Sequence, residues 1–404
     1  MRTVAGLDIG TTKVSALIAE ADEGGSLRII GMGSRPSDGL RRGMVVDLER
    51  TVRSIAGAVE EAEQMAGVSV RSVYAGIGGD HVRGINSRGV IAVTRKDQEI
   101  TQAEVLKVVE AAKAVAIPAD REIFHVIPQE FIVDEQDGVR DPIGMSGARL
   151  EVEVHIVTGA STPARNVIKA IERAGLSVAR LVLEPVASAN AVLSEDERSL
   201  GVVLLDIGGG TTDIAVFVDG SIRHTAVLGL GGLNVSNDIA IGLRVPVDRA
   251  EQVKIEHGCA LLSMVRENEI VRVPSVAGRT PRDVRRDLVV QMIEPRMEEI
   301  LCLALKEVRR STANDHLGAG VVLTGGASAM AGVPELAEQI FDLPARRGVP
   351  AVGDGPEAVK DPRHATGVGL LLHAVQDGVR SANGSGLVDR VTNPLRRWAA
   401  SFFA

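Results

Sequence analysis

One turn motif occurs twice in this chain, and the repeat constrains what it can fold into. Near the start the sequence reads Val4-Ala5-Gly6-Leu7-Asp8-Ile9-Gly10-Thr11-Thr12-Lys13-Val14. Further on it reads Leu204-Leu205-Asp206-Ile207-Gly208-Gly209-Gly210-Thr211-Thr212-Asp213-Ile214. Each copy is an apolar run, an Asp, a Gly/Thr turn and a second apolar run. That order describes a β-hairpin with an acidic residue at its mouth. Two copies call for two similar halves, with a ligand held between them.

At 404 residues the chain is long enough for more than one domain, most simply two lobes. Apolar residues make up 45% of it, so each lobe can bury a core. A formal charge of -8 and the lack of a basic stripe argue against a nucleic-acid partner. Cys259 and Cys302 are the only cysteines, without CxxC spacing. The N-terminus enters a strand almost at once and carries no secretory signal pattern. The expectation is a cytosolic protein with two reduced thiols, read as small buried side chains rather than a metal or redox site. No uninterrupted apolar stretch is long enough to cross a bilayer.

Residues 3–9, 13–19 and 27–34 read as consecutive strands, with Glu23-Gly24-Gly25-Ser26 as a turn. Val52, Ile55, Ala56, Val59, Ala62 and Met65 recur at helical spacing and predict a helix over 48–66. Val70–Ile77 predicts a strand ending at Gly78-Gly79. The character changes near residue 84. A strand over Val90–Val93, a helix over Gln102–Ala114 and strands over Glu122–Val133 and Ala148–Val157 read as a small inserted module, with Asp134–Gly147 as a turn-rich link. The main fold resumes with a helix capped by Thr162, with Pro163 in its first position and Gly175 as its stop. A strand over Val178–Leu183 and a helix from near Pro185 follow. Residues 194–199 read as a connection between lobes. After the second hairpin, Gly229–Gly232 is a turn before a helix from near Asn234, and 245–300 reads as mostly helical. Val321–Ser328 reads as a buried strand entering a glycine turn, and His364–Val375 as a small-residue helix. The Gly, Ser and Asn residues after Gln376 read as a flexible linker.

A nucleoside triphosphate needs backbone N–H donors, room for close approach, and carboxylates for Mg²⁺ or its waters. Gly10, Thr11, Thr12 and Lys13 in the first turn meet the phosphate requirement, as do Gly208, Gly209, Gly210, Thr211 and Thr212 in the second. Mg²⁺ keeps several waters and takes few carboxylates. Asp8, Asp206 and Asp213 suit that work, directly or through water. Lys13 supplies a point charge for a β- or γ-phosphate. One such hairpin is ordinarily just a turn. Two copies, with a strand ending in Thr324-Gly325-Gly326-Ala327, favour a nucleotide cleft. No GxxxxGK[ST] occurs, and no GxGxxG lies between a strand and a helix, so neither a P-loop nor a Rossmann site is expected.

These residues resemble the actin / sugar-kinase / heat-shock chaperone ATPase superfamily. Asp8–Val14 is similar to its first phosphate loop, Asp206–Asp213 to its second, and Thr324–Ser328 to its adenosine loop. The resemblance implies adenosine contacts from Gly325, Gly326, Ala327 and Ser328. Leu183-Glu184-Pro185-Val186-Ala187 resembles the connecting helix, where chaperone relatives carry a Glu that orders metal-bound water. Glu184 is therefore the candidate catalytic residue, since hydrolysis needs a group that positions water. A weak ATPase at most is expected. His364–Val375 resembles the second connecting helix. Ala250-Glu251-Gln252-Val253-Lys254 resembles a segment whose Glu and Lys contact ribose and base, which implicates Glu251 and Lys254. An i,i+3 surface pair is the other reading of that segment.

A narrower resemblance is to the bacterial cell-division family FtsA. The module near 84–160 sits where that family carries an extra subdomain, and Gly39-Leu40-Arg41-Arg42-Gly43-Met44-Val45-Val46-Asp47 is similar to a segment typical of it. The resemblance covers essentially the whole chain. It implies an α/β, actin-like two-lobed fold with duplicated ribonuclease-H-like cores, an inserted small α+β subdomain and a C-terminal amphipathic helix. The expected division is 1–83 and 163–196 for the first core (with part of 362–378), 84–162 for the inserted subdomain, 197–236 and 301–361 for the second core, 237–300 for a second-lobe insert, 379–393 for the linker and 394–404 for the helix. The implied cofactors are ATP and Mg²⁺. The implied partners are further copies of the chain, the C-terminal tail of the tubulin-like FtsZ and other division proteins. The implied place is the cytoplasmic side of the bacterial inner membrane, at the septum. Arg282, Arg285 and Arg286 form a basic patch that suits an acidic peptide, or else a solvated helix face.

The last residues carry their own signal. Of eight aromatic residues, Trp398, Phe402 and Phe403 fall at the very end. Asn393-Pro394 suits a helix start. At 100° per residue Leu395, Trp398, Ala399, Phe402 and Phe403 share one face, with Arg396 and Arg397 off it. Residues 387–404 carry three Arg against one Asp, on a chain of net charge -8. Aromatics on one face and Arg on the other describe a helix lying in an anionic membrane surface. Docking on the protein's own core is the alternative, which the preceding linker disfavours.

Other members of the superfamily remain to be separated. A small-molecule kinase needs a substrate pocket with a general-base Asp and has no use for an aromatic tail. An actin-like pilus-assembly protein shares the core and the module but binds another peptide. A chaperone needs a peptide-binding β-domain, and none follows here.

Overall fold

The computed structural model describes residues 2–22, 25–94, 98–273, 281–311 and 316–382. Within them the duplicated turn becomes a duplicated sheet. The first sheet is ordered Ser177–Leu183, Ser72–Ile77, Arg2–Ile9, Lys13–Ala21, Leu27–Pro36. The second is ordered Ala345–Arg347, Val321–Thr324, Val202–Ile207, Thr212–Val218, Ser221–Leu228. In each, three strands form an antiparallel meander and the two beyond it pair in parallel. Val202–Ile207 and Thr212–Val218 are buried along their whole length, as apolar strands covered on both faces are.

Helix α1 (Leu48–Ala66) covers the span its periodicity predicts and buries Ile55, Ala58, Val59 and Ala62. Asp47 caps it by accepting from the Arg50 N–H, and Gly67 ends it in the left-handed conformation. The Gly39–Asp47 segment forms a short ladder, Leu40–Arg41 against Met44–Val45.

The inserted module is an antiparallel sheet ordered Arg83–Ala92, Arg149–Ala160, Arg121–Val133, Gln136–Val139. Helix α2 (Gln102–Ala112) covers it with Val105, Val108, Val109 and Ala112. The strand expected only over Val90–Val93 begins at Arg83, because its half-exposed polar residues carry little strand signal. The turn-rich stretch 134–147 holds the short strand Gln136–Val139.

Several local readings change. Helix α3 (Ser161–Arg173) runs straight on from the Arg149–Ala160 strand, so Ala160 is its cap and Thr162 and Pro163 lie in its first turn. Helix α4 (Glu184–Val192) does start near Pro185 as expected, directly where Ser177–Leu183 ends. Residues 194–199 are not an open connection. Ser194 caps helix α5 (Glu195–Leu200): its hydroxyl accepts from the Glu197 N–H, and the Glu197 carboxylate accepts from the Ser194 N–H. Helix α6 (Gly232–Leu243) begins two residues before Asn234, because the Gly232 and Leu233 N–H groups donate to the carbonyls of Gly208 and Gly209. Helix α7 (Val247–His257) is followed by an antiparallel ribbon, Ile270–Val273 with Arg282–Arg285, inside the stretch read as helical. There Val271 and Val273 are buried while Ile270 and Arg272 are exposed, a period of two. Next come α8 (Arg286–Ser311), α9 (Val333–Phe341) and α10 (Ala365–Ala382). Helix α10 continues past Gln376 and past residue 379, where the linker was expected to begin. Cys259 is buried as expected, but Cys302 is exposed on α8.

Helices α4 and α10 cross between the sheets. Their Ala189, Ala191, Leu371 and Ala374 share a core with Leu17 of the first sheet and Leu204 and Val322 of the second. The inserted module also reaches the second sheet. Gln129 Nε2 donates to the Ile222 carbonyl at 2.7 Å, and Asn86 Nδ2 donates to the Arg223 carbonyl at 3.2 Å. The expected terminal helix, 394–404, lies outside the described residues, as does 383–393.

Candidate functional site

The two hairpins close with the same bond: Gly10 N–H to Lys13 O and Gly208 N–H to Thr211 O, each 2.9 Å. Their tips meet. A Cβ on Gly209 would stand 2.4 Å from Thr12 Cγ2, and one on Gly210 would stand 2.7 Å from Thr11 Cγ2. Only glycine permits that approach. The first-lobe turn and the second-lobe turn thus form one floor, as the repeat implies.

The acids gather at that floor. Asp8 stands opposite Ser15 in the first hairpin, and Asp206 stands opposite Asp213 in the second. Asp8, Asp206 and Asp213 are all buried. Burial pushes the Asp8 carboxyl up to about 6; Lys13 opposes the shift and Asp206 adds to it. Burial also raises Asp206, against hydrogen bonds from Ser188 and Thr366. Asp213 and Glu184 are held well above the usual carboxylate range, first by burial and then by the neighbouring carboxylates. Glu184, the first residue of α4, lies over the end of the Ser72–Ile77 strand: a Cβ on Gly78 would stand 2.2 Å from its Oε2. Asp8, Asp206 and Asp213 all act on Glu184, and Asp8 and Asp206 act on Asp213, so the four carboxyls form one group.

Such a group fits a cation. Oδ1 of Asp213 is buried and has no hydrogen-bond partner among the described residues. No three His, Cys, Asp or Glu side chains among the described residues close into a direct metal cage. An Mg²⁺ that keeps its waters matches both facts, with the carboxylates taking water protons. Lys13 lies beside the acids, and its Nζ donates to the Arg363 carbonyl at 2.7 Å. Burial lowers its pKa, while Asp8 pulls it back up.

The adenosine-type residues come together on the second lobe. Gly325 has φ +84, and a Cβ there would strike Asp206 Oδ1 at 2.3 Å. A Cβ on Gly326 would meet only Arg363 Cβ, at 3.9 Å. Ser328 Oγ donates to the Gly325 carbonyl at 2.8 Å, which fixes the turn. Around Gly232, a Cβ would stand 3.2 Å from both Ala327 Cβ and Lys254 Nζ. Lys254 donates to Glu251 Oε2 at 2.7 Å, Ser236 Oγ at 2.9 Å and the Gly232 carbonyl at 3.0 Å. Glu251 and Lys254 are thus no surface pair: the lysine is buried beside the 325–328 turn.

The structure does not leave Arg282, Arg285 and Arg286 as a free basic patch. They lie on the ribbon strand and the start of α8. Arg282 donates to the Leu243 carbonyl, Arg285 pairs with Asp287, and Arg286 pairs with Glu269 at 3.0 Å. Leu395, Arg396, Arg397, Trp398, Phe402 and Phe403 lie outside the described residues. Sequence reasoning missed Ser188, Ser236, Arg363 and Thr366. Ser188 is four residues after Glu184 on the same helical face, which is the signal that was available. Nothing local marks Thr366, which is brought in by tertiary packing.

Two sheets of one topology, joined at matched Asp-bearing hairpins over a pair of crossing helices, define an actin-like two-lobed ATPase fold. Solved structures share it. The PilM-PilN type IV pilus biogenesis complex matches with a TM-score of 0.65 at 19% identity, over 92% of this chain and 98% of that one. MreB5 of Spiroplasma citri bound to ADP matches with a TM-score of 0.54 at 14% identity, over 94% of this chain and 99% of that one. Residues 162–227 match the family model of the Hsp70 protein, and residues 79–158 match the SHS2 domain inserted in FTSA. Residues 203–369 match the family model of cell division protein FtsA. The FtsA of Pseudomonas aeruginosa is 46% identical over 100% of this chain and 98% of its own length. That of Neisseria meningitidis is 45% identical over 100% of this chain and 99% of its own. The chain belongs to the FtsA family of cell division proteins.

Proposed function

We propose that this division protein binds ATP with Mg²⁺ between its lobes, self-associates, and ties the FtsZ ring to the inner face of the cytoplasmic membrane at the septum, where it recruits later division proteins. The observation that carries the reading is the meeting of the two hairpins, with Asp8, Asp206 and Asp213 buried at one floor and Glu184, half-buried, beside them. Turn N–H groups and the threonine hydroxyls of both loops receive the phosphates. Lys13 supplies the point charge. Asp206 and Asp213 order the metal's waters, and Asp8 faces them from the first lobe. The metal would neutralise phosphate charge. Glu184 orients the attacking water, and turnover is weak at most. Gly325 to Ser328, with Glu251 and Lys254, receive the adenosine.

Self-association is supported by the fold. MamK, described as a double helical filament, shares it with a TM-score of 0.51 at 12% identity. The inserted module at 84–162 forms part of the longitudinal contact. No helix among the described residues is long and apolar enough to cross a membrane. The membrane contact is assigned to Leu395, Arg396, Arg397, Trp398, Phe402 and Phe403. The contact for the FtsZ tail is assigned to Arg282, Arg285 and Arg286, which would exchange the Leu243 carbonyl, Asp287 and Glu269 for the carboxylates of an acidic peptide.

The test is electron microscopy of the full chain on an anionic lipid monolayer with ATP–Mg²⁺, with and without FtsZ. Filaments on the lipid that gather FtsZ are expected. Monomers that persist at all concentrations, or filaments that ignore FtsZ, overturn the corresponding part.

A further inference from the structure

Asp206 is held from the far side of the site. Ser188 is fully buried, and its Oγ lies 2.5 Å from Asp206 Oδ2. Thr366 Oγ1 lies 3.3 Å from the same oxygen and 3.0 Å from Ser188 Oγ. An ionised carboxylate only accepts, so the hydroxyls donate to it. Both grip one oxygen. The other, Oδ1, faces Gly325, where a Cβ would come within 2.3 Å of it. The carboxylate therefore spans from the helix crossing to the glycine turn of the second lobe.

The hydroxyls belong to the two helices that cross between the sheets. Helix α4 continues from a first-sheet strand, whereas Asp206 sits near the end of a second-sheet strand. At the crossing a Cβ on Gly369 would stand 1.7 Å from the Ala187 carbonyl oxygen, so the helices have no slack. Ser188 and Ala187 are adjacent, as are turns of α10 carrying Thr366 and Gly369. The tight crossing therefore holds the hydroxyl pair at a fixed place against Asp206.

We propose that Ser188 and Thr366 are positioning residues: they aim the Asp206 carboxylate at the metal–nucleotide complex, and the tight crossing of α4 and α10 fixes that aim. This rests on the nucleotide reading given above.

The experiment measures equilibrium binding of a fluorescent ATP analogue to the full chain, with Mg²⁺ and with EDTA. The variants are Ser188→Ala, Thr366→Val and Thr366→Ser, each with its thermal midpoint measured by circular dichroism. Wild type should bind more tightly with Mg²⁺. Ser188→Ala and Thr366→Val should lose about tenfold of that Mg²⁺ enhancement, the scale of a lost hydrogen bond to a charged group. Their affinity in EDTA should stay near wild type, their thermal midpoints should fall modestly for the lost buried hydrogen bond without loss of the fold, and Thr366→Ser should retain the enhancement. Equal enhancement in all variants overturns the positioning role and leaves the nucleotide reading standing. Equal losses with and without Mg²⁺ also overturn it, since they mark a general packing role. A wild-type chain that binds no nucleotide overturns the reading beneath it.

Discussion

Lys13, on the first phosphate turn, donates through Nζ to the backbone carbonyl of Arg363 at 2.7 Å, across 350 residues of chain. The Pro362–His364 turn that carries this carbonyl is also fastened to the second lobe, through Thr324 Oγ1 and Gly325 N–H to the Pro362 carbonyl, each at 3.3 Å. One turn therefore touches the lysine of one lobe and the adenosine-type loop of the other. On the proposed nucleotide reading, phosphate binding draws Lys13 from this carbonyl to the ligand.

Replacing the ammonium tests that exchange. Lys13→Met keeps the length of the stem and removes the charge. ATP–Mg²⁺ affinity is expected to fall by on the order of tenfold or more, as for a lost charge-assisted hydrogen bond. Adenosine affinity should not change. Isothermal titration with both ligands checks this. Equal losses for both would show that the lysine acts on the fold and not on phosphate.

The site was legible where chemistry is written locally. The two hairpins, α1 and the 325–328 turn could be read because Asp, Gly and apolar period all lie within a few residues. What escaped depends on long-range packing. The carbonyl that holds Lys13 belongs to a residue with no local signal. The paired state of Arg285 and Arg286 comes from Asp287 and Glu269, one of them on a loop before the ribbon. The start of α6 moved because its first N–H groups are bound to the phosphate turn, which no cap rule foresees. The burial of Lys254 likewise follows from Gly232 and Ser236 on another helix.

Gly325 and Gly326 are expected to fail differently. At Gly325 the positive φ and the nearness of Asp206 both oppose a side chain. Gly325→Ala should cost about 1–3 kcal/mol of stability. At Gly326 the added Cβ meets almost nothing, so Gly326→Trp should fold and fill the cleft. Thermal melting separates the two variants, and ATP–Mg²⁺ titration of Gly326→Trp should show no binding. Wild-type affinity in Gly326→Trp would remove the assignment of this turn to adenosine.

His155 makes the joint between the inserted module and the second sheet sensitive to acid. It is fully buried, with Nδ1 2.6 Å from Asn86 Oδ1 and Nε2 2.8 Å from Thr225 Oγ1. Burial, helped by His224, lowers its pKa from 6.5 to about 3. Between those values the unfolded chain holds a proton that the folded chain refuses. Stability from this residue is therefore whole above pH 6.5 and falls as pH drops toward 3, by at most about 1.4 kcal/mol per pH unit. His125 and His364, both lowered to about 3, add the same sign. Asp8, raised to about 6, has the opposite sign: its contribution is lost as pH rises through 6. Comparing urea unfolding of wild type and His155→Gln isolates one residue. Their difference should shrink as pH falls below 6.5, and a constant difference would refute the assignment.

The tail gives the last test. A helix over 394–404 has eleven residues and would be roughly 16 Å long at about 1.5 Å each. The hydrocarbon core is about 30 Å thick, so such a helix lies on the membrane and does not cross it. In the proposed anchor Leu395, Trp398, Phe402 and Phe403 are expected to enter the acyl boundary. Arg396 and Arg397 are expected to sit among anionic headgroups, each contributing on the order of 1 kcal/mol. One short helix of this kind binds weakly and reversibly. Self-association arrays many tails, and linked sites gain on the order of 10²–10⁴ in avidity without new contacts. Membrane attachment is thus expected to need both the tail and the filament, which lets a weak anchor act as a switch. Co-sedimentation with anionic liposomes compares the full chain, a deletion of 387–404 and Trp398→Glu. Both variants should stay in the supernatant at concentrations where the full chain pellets. If either pellets as well as the full chain, the tail is not the anchor.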